Sequence, residues 1–143
     1  MTNKEYEKLV QEKVPKPNTL RNCIVAFIVG GLICDVGQLI TNILKSSGLD
    51  KDSTSAGTAI IMVFLGAFLT GLGLYDRIGK FAGAGSIVPI TGFANSIVSP
   101  AMEFKREGFV FGVGAKMFVI AGPVLVYGIS TSIIIGLIYH FFF

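Results

Sequence analysis

The sequence predicts an all-α membrane protein: a small bundle of three or four transmembrane helices that contains one segment broken by Gly and Pro. Apolar residues make up 52% of the 143 residues and charged residues only 15%, and the mean hydropathy is +0.70. Soluble domains average roughly a quarter charged residues. The charges also cluster between apolar runs, and 18 glycines fit helices that approach one another closely. These observations exclude a soluble or secreted domain.

Residues 1–17 are predicted to form a cytoplasmic amphipathic helix and linker. Thr2 and Glu5 make a capping box for a helix over residues 2–14, which Pro15 and Pro17 end. This polar lead-in does not fit a signal peptide, so it is expected to stay in the mature protein. Basic residues before a span hold that end in the cytoplasm, which explains the basic lead-in without nucleic-acid binding; they are Lys4, Lys8, Lys13, Lys16 and Arg21.

Residues 18–143 are predicted to be the transmembrane bundle, and its first two spans cover residues 23–44 and 56–75. Both runs are apolar and long enough to cross a hydrocarbon core of roughly 30 Å. In the second span, Gly66, Thr70 and Gly73 form a small-residue face suited to helix packing. Cys23 and Cys34 lie about 16 Å apart on the first helix, too far for a disulfide, and are expected to be buried packing residues.

Residues 81–104 have the length of a span but contain three glycines, two prolines and Asn95. Broken backbone cannot face lipid, so this segment must be buried in protein or line a wet cavity. It fits two structures. A kinked full crossing gives four spans with both termini inside; two half-helices that enter and return give three spans with the carboxyl end outside.

The last span is predicted over residues 109–139, and the apolar run that contains it continues to Phe143. Residues 117–139 alone suffice to cross, so residues 109–116 extend into the interface or bend away. Proline inside a helix removes a backbone donor, and kinks are therefore predicted at Pro89, Pro100 and Pro123.

Polar residues share one face of the first span: Gly31, Asp35, Gln38, Asn42 and Lys45 fall in a narrow sector at 100° per residue. A charge near the middle of a span costs about 2.5–3.5 kcal/mol on insertion scales. We therefore expect this face to be hidden from acyl chains against protein or water. Asp35 either specifies helix pairing, with Gly31 as a packing residue, or belongs to a solute or ion pathway.

Lys116, near the start of the last span, either pairs with Asp35 or Glu103, offers a cation to an anionic solute, or snorkels to the headgroups. The pathway or gating candidates are Asp35, Gln38, Asn42, Asn95, Glu103, Arg106, Lys116 and Tyr127. Enzyme chemistry is not expected, because the single histidine is His140 and no Ser or Cys lies near a base. No cofactor is expected either.

Three segments resemble the stage V sporulation protein AC family. They are residues 22–38 (NCIVAFIVGGLICDVGQ), residues 92–96 (GFANS) and residues 99–108 (SPAMEFKREG). Residues 16–17 and 112–122 fit as well, so the resemblance covers nearly the whole chain. It implies a spore inner-membrane subunit that moves dipicolinic acid, as its calcium chelate, during sporulation and germination. With that solute, Asp35 is a candidate contact for the calcium.

The resemblance also implies sister membrane subunits and a soluble partner that binds dipicolinate. Three or four spans have little volume to enclose a pore, so the pathway is expected to form between copies of the chain or between unlike subunits. The alternative is a structural subunit that scaffolds a separate pore and recruits the soluble partner through residues 1–17.

Overall fold

The computed structural model describes residues 6–7, 10, 13, 18–87 and 89–142, among which there is no β-strand. Three runs are long and apolar enough to cross a membrane: Thr19–Ser46, Lys51–Gly71 and Phe109–Phe142. The predicted all-α membrane fold is confirmed. Most of the predicted helix over residues 2–14, with Pro15 and Pro17, lies outside the described residues. The α-helices are α1 (Thr19–Ser46), α2 (Lys51–Gly71), α3 (Tyr75–Ala82), α4 (Pro89–Glu103) and α5 (Ala115–Phe142).

Helices α1 and α2 form an antiparallel pair that packs through small residues. A Cβ on Gly37 would lie 3.7 Å from the Cε atom of Met62. One turn further, the Thr41 and Thr58 hydroxyls lie 3.0 Å apart, and Thr41 also donates to the carbonyl oxygen of Gly37 at 2.9 Å. Small side chains let the two backbones approach, and the hydroxyls satisfy one another inside the contact.

Capping interactions place α2 four or five residues earlier than the predicted span 56–75. Asp50 Oδ2 accepts hydrogen bonds from the backbone N–H groups of Asp52 and Ser53, at 3.1 and 3.2 Å, so the helix begins at Lys51. At the other end Gly73 has φ +68°, and Leu74 N–H donates to the carbonyl five residues earlier, which makes a Schellman motif. The prediction that Gly73 packs against another helix is wrong, because it is exposed beyond the end of α2.

The broken segment forms two half-helices joined by the 3₁₀ turn Gly83–Ile87. Helix α3 has 8 residues and α4 has 15, about 12 and 22 Å of helix, so neither crosses roughly 30 Å alone. The turn lies against α1, where Gly85 meets the backbone of Ala26 so closely that a Cβ would collide with it. Of the two structures that the sequence left open, this is the segment that enters and returns.

The direction of α4 follows from its contact with α2. A Cβ on Gly66 would lie 3.0 Å from Thr91 Cα and 3.1 Å from Ala94 Cβ, and Thr70 Oγ1 donates to Asn95 Oδ1 at 2.9 Å. These contacts advance in the same direction along both helices, so α2 and α4 are parallel. Helix α4 therefore ends at the same end of the bundle at which α2 ends and α1 begins. We call this the basic end, since it carries Arg21, Arg77, Lys80, Lys105 and Arg106.

Helix α5 starts from the basic end and packs on α4 over its first part only. It is preceded by the 3₁₀ turn Lys105–Glu107 and the π-helix Phe109–Gly114. Phe93 and Ser96 of α4 line one groove with Ile120 of α5. Ala121 is 1% exposed, whereas every residue from 123 to 142 is exposed. We call residues 123–142 the free arm: Val124 and Leu125 still line the groove with α4, and the rest of this half of α5 leaves the bundle.

Several packing predictions from the sequence are wrong. Pro89 is the first residue of α4, a position that its missing N–H and fixed φ suit, so it does not kink a helix. Pro100 and Pro123 do lie inside helices, α4 and α5. A Cβ added to Gly31 would meet no atom within 4 Å, since α2 packs on another side of α1. For the same reason the free cysteines on α1 are exposed and not buried; they are Cys23 and Cys34.

Candidate functional site

Three polar residues of α1 form an exposed row, which we call the polar stripe: Asp35, Gln38 and Asn42. They line a shallow groove of about 440 Å³. Gln38 Nε2 donates to Asn42 Oδ1 at 2.9 Å, so these two amides orient each other along the helix. At 100° per residue the stripe lies well away from the Gly37 and Thr41 side that contacts α2.

The Asp35 carboxyl has no hydrogen bond or ion pair to any residue that the structure describes. It is exposed because α2 packs against the small-residue side of α1. A carboxyl at this depth costs about 2.5–3.5 kcal/mol when nothing compensates it. Residues 18–87 and 89–142 contain no group of three or more His, Cys, Asp or Glu that could hold a metal ion. None of the residues that the structure describes therefore compensates the Asp35 carboxyl.

A second polar cluster lies inside the basic end, and the sequence did not indicate it. Tyr75 is buried; its hydroxyl donates to the carbonyl oxygen of Ser86 at 2.7 Å and lies 3.1 Å from Thr91 Oγ1. Ser86 Oγ in turn donates to the Gly83 carbonyl oxygen at 2.8 Å. These bonds tie the start of α3 to the 3₁₀ turn and to α4. They hold the re-entrant segment in place.

A polar pocket of about 320 Å³ lies in front of this cluster, between α3 and α4. It is lined by Tyr75, Asp76, Gly79, Lys80, Ser86 and Asn95. Asn95 is the pathway candidate that the pocket contains. Asp76 and Lys80 are not among the candidates that the sequence predicted. The signal that could have found them was their spacing, since residues four apart share a helix face.

The remaining predicted candidates lie elsewhere. Lys116 Nζ is 4.0 Å from the centroid of the Phe104 ring, a cation–π contact, and does not pair with Asp35 or Glu103. Glu103 and Arg106 are exposed near the basic end, and Tyr127 is exposed on the free arm. The eight candidates therefore divide among the polar stripe, the polar pocket, the surface of the basic end and the free arm, and do not form one continuous path within the chain.

The family model described as SpoVAC/SpoVAEB sporulation membrane protein matches residues 22–138. The chain belongs to this family. It is similar to stage V sporulation protein AC of Bacillus subtilis (strain 168), with 49% identity over 142 residues, 96% of this chain and 94% of the relative. No solved structure matches the chain. The SpoVAC/SpoVAEB match includes α1 to α4 almost entirely, so both the polar stripe and the polar pocket lie within it.

Proposed function

We propose that this sporulation membrane protein is a subunit of a spore inner-membrane channel or transporter that moves dipicolinic acid, as its calcium chelate. The direction of movement is inward during sporulation and outward during germination. One observation carries the proposal: a mid-span row of polar side chains lies on the outer face of α1, and its carboxyl has no partner among the described residues. Membership of a sporulation membrane protein family supplies the biological setting.

A route for a flat dianion through hydrocarbon needs polar lining. The polar stripe spans seven residue steps, about 10 Å of α1, and offers amide donors and acceptors along that length. Its groove is open on one side, so this chain supplies one wall of a route. The other walls would come from further copies or from sister membrane subunits, which would also cover Asp35.

The positive-inside rule orients the subunit. With the basic end on the cytoplasmic side, which becomes the spore core, the amino terminus and the re-entrant segment both face the core. A soluble dipicolinate-binding partner would then dock on that side, with residues 1–17 as its docking segment. The free arm would carry the chain to the outer surface.

The test is the flux of calcium dipicolinate through vesicles that contain the chain together with its sister subunits. We expect Asp35→Asn to lower the flux roughly tenfold, the effect of about 1.4 kcal/mol on the barrier. Leu32→Ala is the matched control, because Leu32 is also exposed on α1 but lies off the polar stripe. Its flux should stay within about twofold of the original protein.

Equal flux in the Asp35→Asn and Leu32→Ala proteins would remove the polar stripe from the route. A second variant, with residues 1–17 deleted, separates transport from scaffolding. Lost recruitment of the soluble partner with intact conductance supports a channel subunit that has a docking tail. No conductance from the full chain under any condition would instead assign it a structural role beside a separate pore.

A further inference from the structure

We infer that the polar pocket at the basic end binds a small dicarboxylate together with the divalent cation that it chelates. This inference rests on the proposed function and deepens it, because it places a solute-binding site on the re-entrant segment of this chain. The pocket of about 320 Å³ is at the lower end of the volumes that hold small organic ligands.

The two charged residues of the pocket are available to a ligand. Asp76 and Lys80 lie one turn apart on α3, both are exposed, and both line the pocket. Such a pair commonly forms an ion pair on a helix surface. Neither side chain forms an ion pair or hydrogen bond with any residue in the described part of the chain. The pocket therefore presents one cation and one carboxylate that are not committed to each other.

Asn95 adds a neutral donor opposite these charges. Its carbonyl Oδ1 accepts from Thr70 Oγ1 at 2.9 Å, sharing the single hydroxyl hydrogen with the Gly66 carbonyl oxygen at 2.7 Å, and the two Nδ2 hydrogens have no acceptor among the described residues. No side-chain nitrogen or oxygen in the described residues is buried without a partner, so Nδ2 is accessible. Since Asn95 lines the pocket, its amide N–H groups can donate to a carboxylate there.

The rear of the pocket is held rigid before any ligand arrives. The Tyr75 hydroxyl joins the Ser86 carbonyl and Thr91 Oγ1, and Tyr75, Ser86 and Thr91 are each at most 7% exposed. A site whose supporting shell is already packed and hydrogen-bonded loses less conformational entropy on binding. These bonds therefore fix the relative positions of α3 and α4, from which Asp76, Lys80 and Asn95 reach the pocket.

The mixture of charges selects the ligand class. Lys80 and the Asn95 amide suit carboxylate oxygens, with which charge-assisted hydrogen bonds form. Asp76 would repel a free dianion, but a carboxylate is a preferred ligand of a hard divalent cation such as Ca²⁺. A chelate that exposes both its carboxylates and its cation meets both signs of charge in the pocket.

The experiment measures equilibrium binding to the full chain in lipid nanodiscs, with 1:1 calcium dipicolinate as the probe. We expect Lys80→Gln to weaken binding roughly tenfold, because it removes the charged donor. Arg77→Gln is the matched control: it removes the same charge from the neighbouring turn of α3, is also exposed, and does not line the pocket. It should change the affinity less than about twofold.

Asp76→Asn, with dipicolinate alone as a second probe, tests the role of the cation. The substitution should weaken binding of the calcium chelate and leave binding of free dipicolinate unchanged or stronger. Equal weakening by Lys80→Gln and Arg77→Gln would overturn the inference, since surface charge alone would then explain binding. Unchanged chelate affinity in Asp76→Asn would overturn it as well.

Failure of this inference is distinguishable from failure of the proposed function. If vesicles transport the chelate and Lys80→Gln leaves both binding and flux unchanged, the pocket is wrong and the transport role stands. If Lys80→Gln abolishes binding but the original protein supports no flux, the pocket stands and the transport role is wrong.

Discussion

Polar side chains are buried and hydrogen-bonded inside the basic end, whereas those on the outer face of α1 are exposed. At the basic end, Tyr75 is 4% exposed with its hydroxyl bonded to the Ser86 carbonyl, and Thr70 is 7% exposed and bonded to Asn95. On α1, Asp35 is exposed and has no partner among the described residues.

The difference separates polar groups that hold the fold from polar groups that need other molecules. A polar group removed from water costs free energy unless a hydrogen bond replaces the lost ones. The chain meets that requirement internally where α2, α3 and α4 meet, because a broken backbone there would otherwise face lipid. Among the described residues it does not meet it for Asp35, and we propose that assembly or a wet route completes that face.

The largest change in stability should come from a substitution in the buried polar cluster at the basic end. Tyr75→Phe removes the hydroxyl and leaves the buried Ser86 carbonyl without its donor, which should destabilise the fold by about 1–3 kcal/mol. Tyr127→Phe is the control, because Tyr127 is 74% exposed on the free arm. Thermal unfolding in detergent measures both. If the two variants melt alike, the cluster at the basic end does not hold the re-entrant segment.

An intermediate effect should come from the polar stripe, and it should appear in assembly rather than in folding. Replacing both amides, as Gln38→Leu and Asn42→Leu, should leave the unfolding temperature of the monomer unchanged or higher. Association in the membrane should weaken, by about 0.6–2 kcal/mol for each lost interhelical hydrogen bond. Energy transfer between labelled chains in vesicles measures this, with Leu32→Ala as the control. Lower monomer stability with unchanged association would show that the polar stripe holds the fold and does not serve assembly.

The smallest effect should come from a polar group that stays in water. Hydrogen bonds from Ser53, first from its side chain and then from its backbone N–H, lower the pKa of Asp50 below its ordinary value of 3.8. A lowered folded-state pKa means that the cap stabilises α2 above pH 3.8 and that this contribution is lost as the pH falls through the folded-state pKa.

Hydrogen exchange of the first turn of α2 measures the Asp50 cap. Protection of the Ser53 amide should fall at acid pH in the original protein. Asp50→Asn keeps a capping oxygen without the charge, so its protection should not depend on pH in that range. The same pH dependence in both proteins would show that the Asp50 carboxylate is not responsible.

Hydropathy and length were enough to predict the membrane fold and the approximate positions of the long helices. The ends of α2 differ from those of the predicted span 56–75 because helix caps are set by local residues. Asp50 caps the start of α2 before the apolar residues begin, and Gly73 ends the helix before Tyr75. The re-entrant segment was one of two open structures. Its choice depends on a close approach between Gly85 and Ala26, residues far apart in sequence, which no periodicity reveals.

The candidate site residues were likewise predictable only where they share one helix. Helical spacing correctly placed Asp35, Gln38 and Asn42 on one face, because that relation is internal to a single helix. Which neighbour covers a face is a tertiary property, so the spacing gave no warning that α2 would pack on the other side. The pocket residues Lys80 and Ser86 come from α3 and the 3₁₀ turn, and only the fold brings them to Asn95.

Pro123 lies close to the place where the packing of α5 on α4 ends, directly after buried Ala121 and half-buried Gly122 and just before Val124 and Leu125, the last α5 residues that line the groove with α4. A proline there removes one backbone hydrogen bond from the helix, which lowers the free-energy cost of bending at that position. In the subunit that we propose, the inclination of residues 123–142 would follow the thickness of the surrounding bilayer while the first half of α5 keeps its shape. A helix hinged in this manner would link lateral stress in the lipid to the width of the gap beside it.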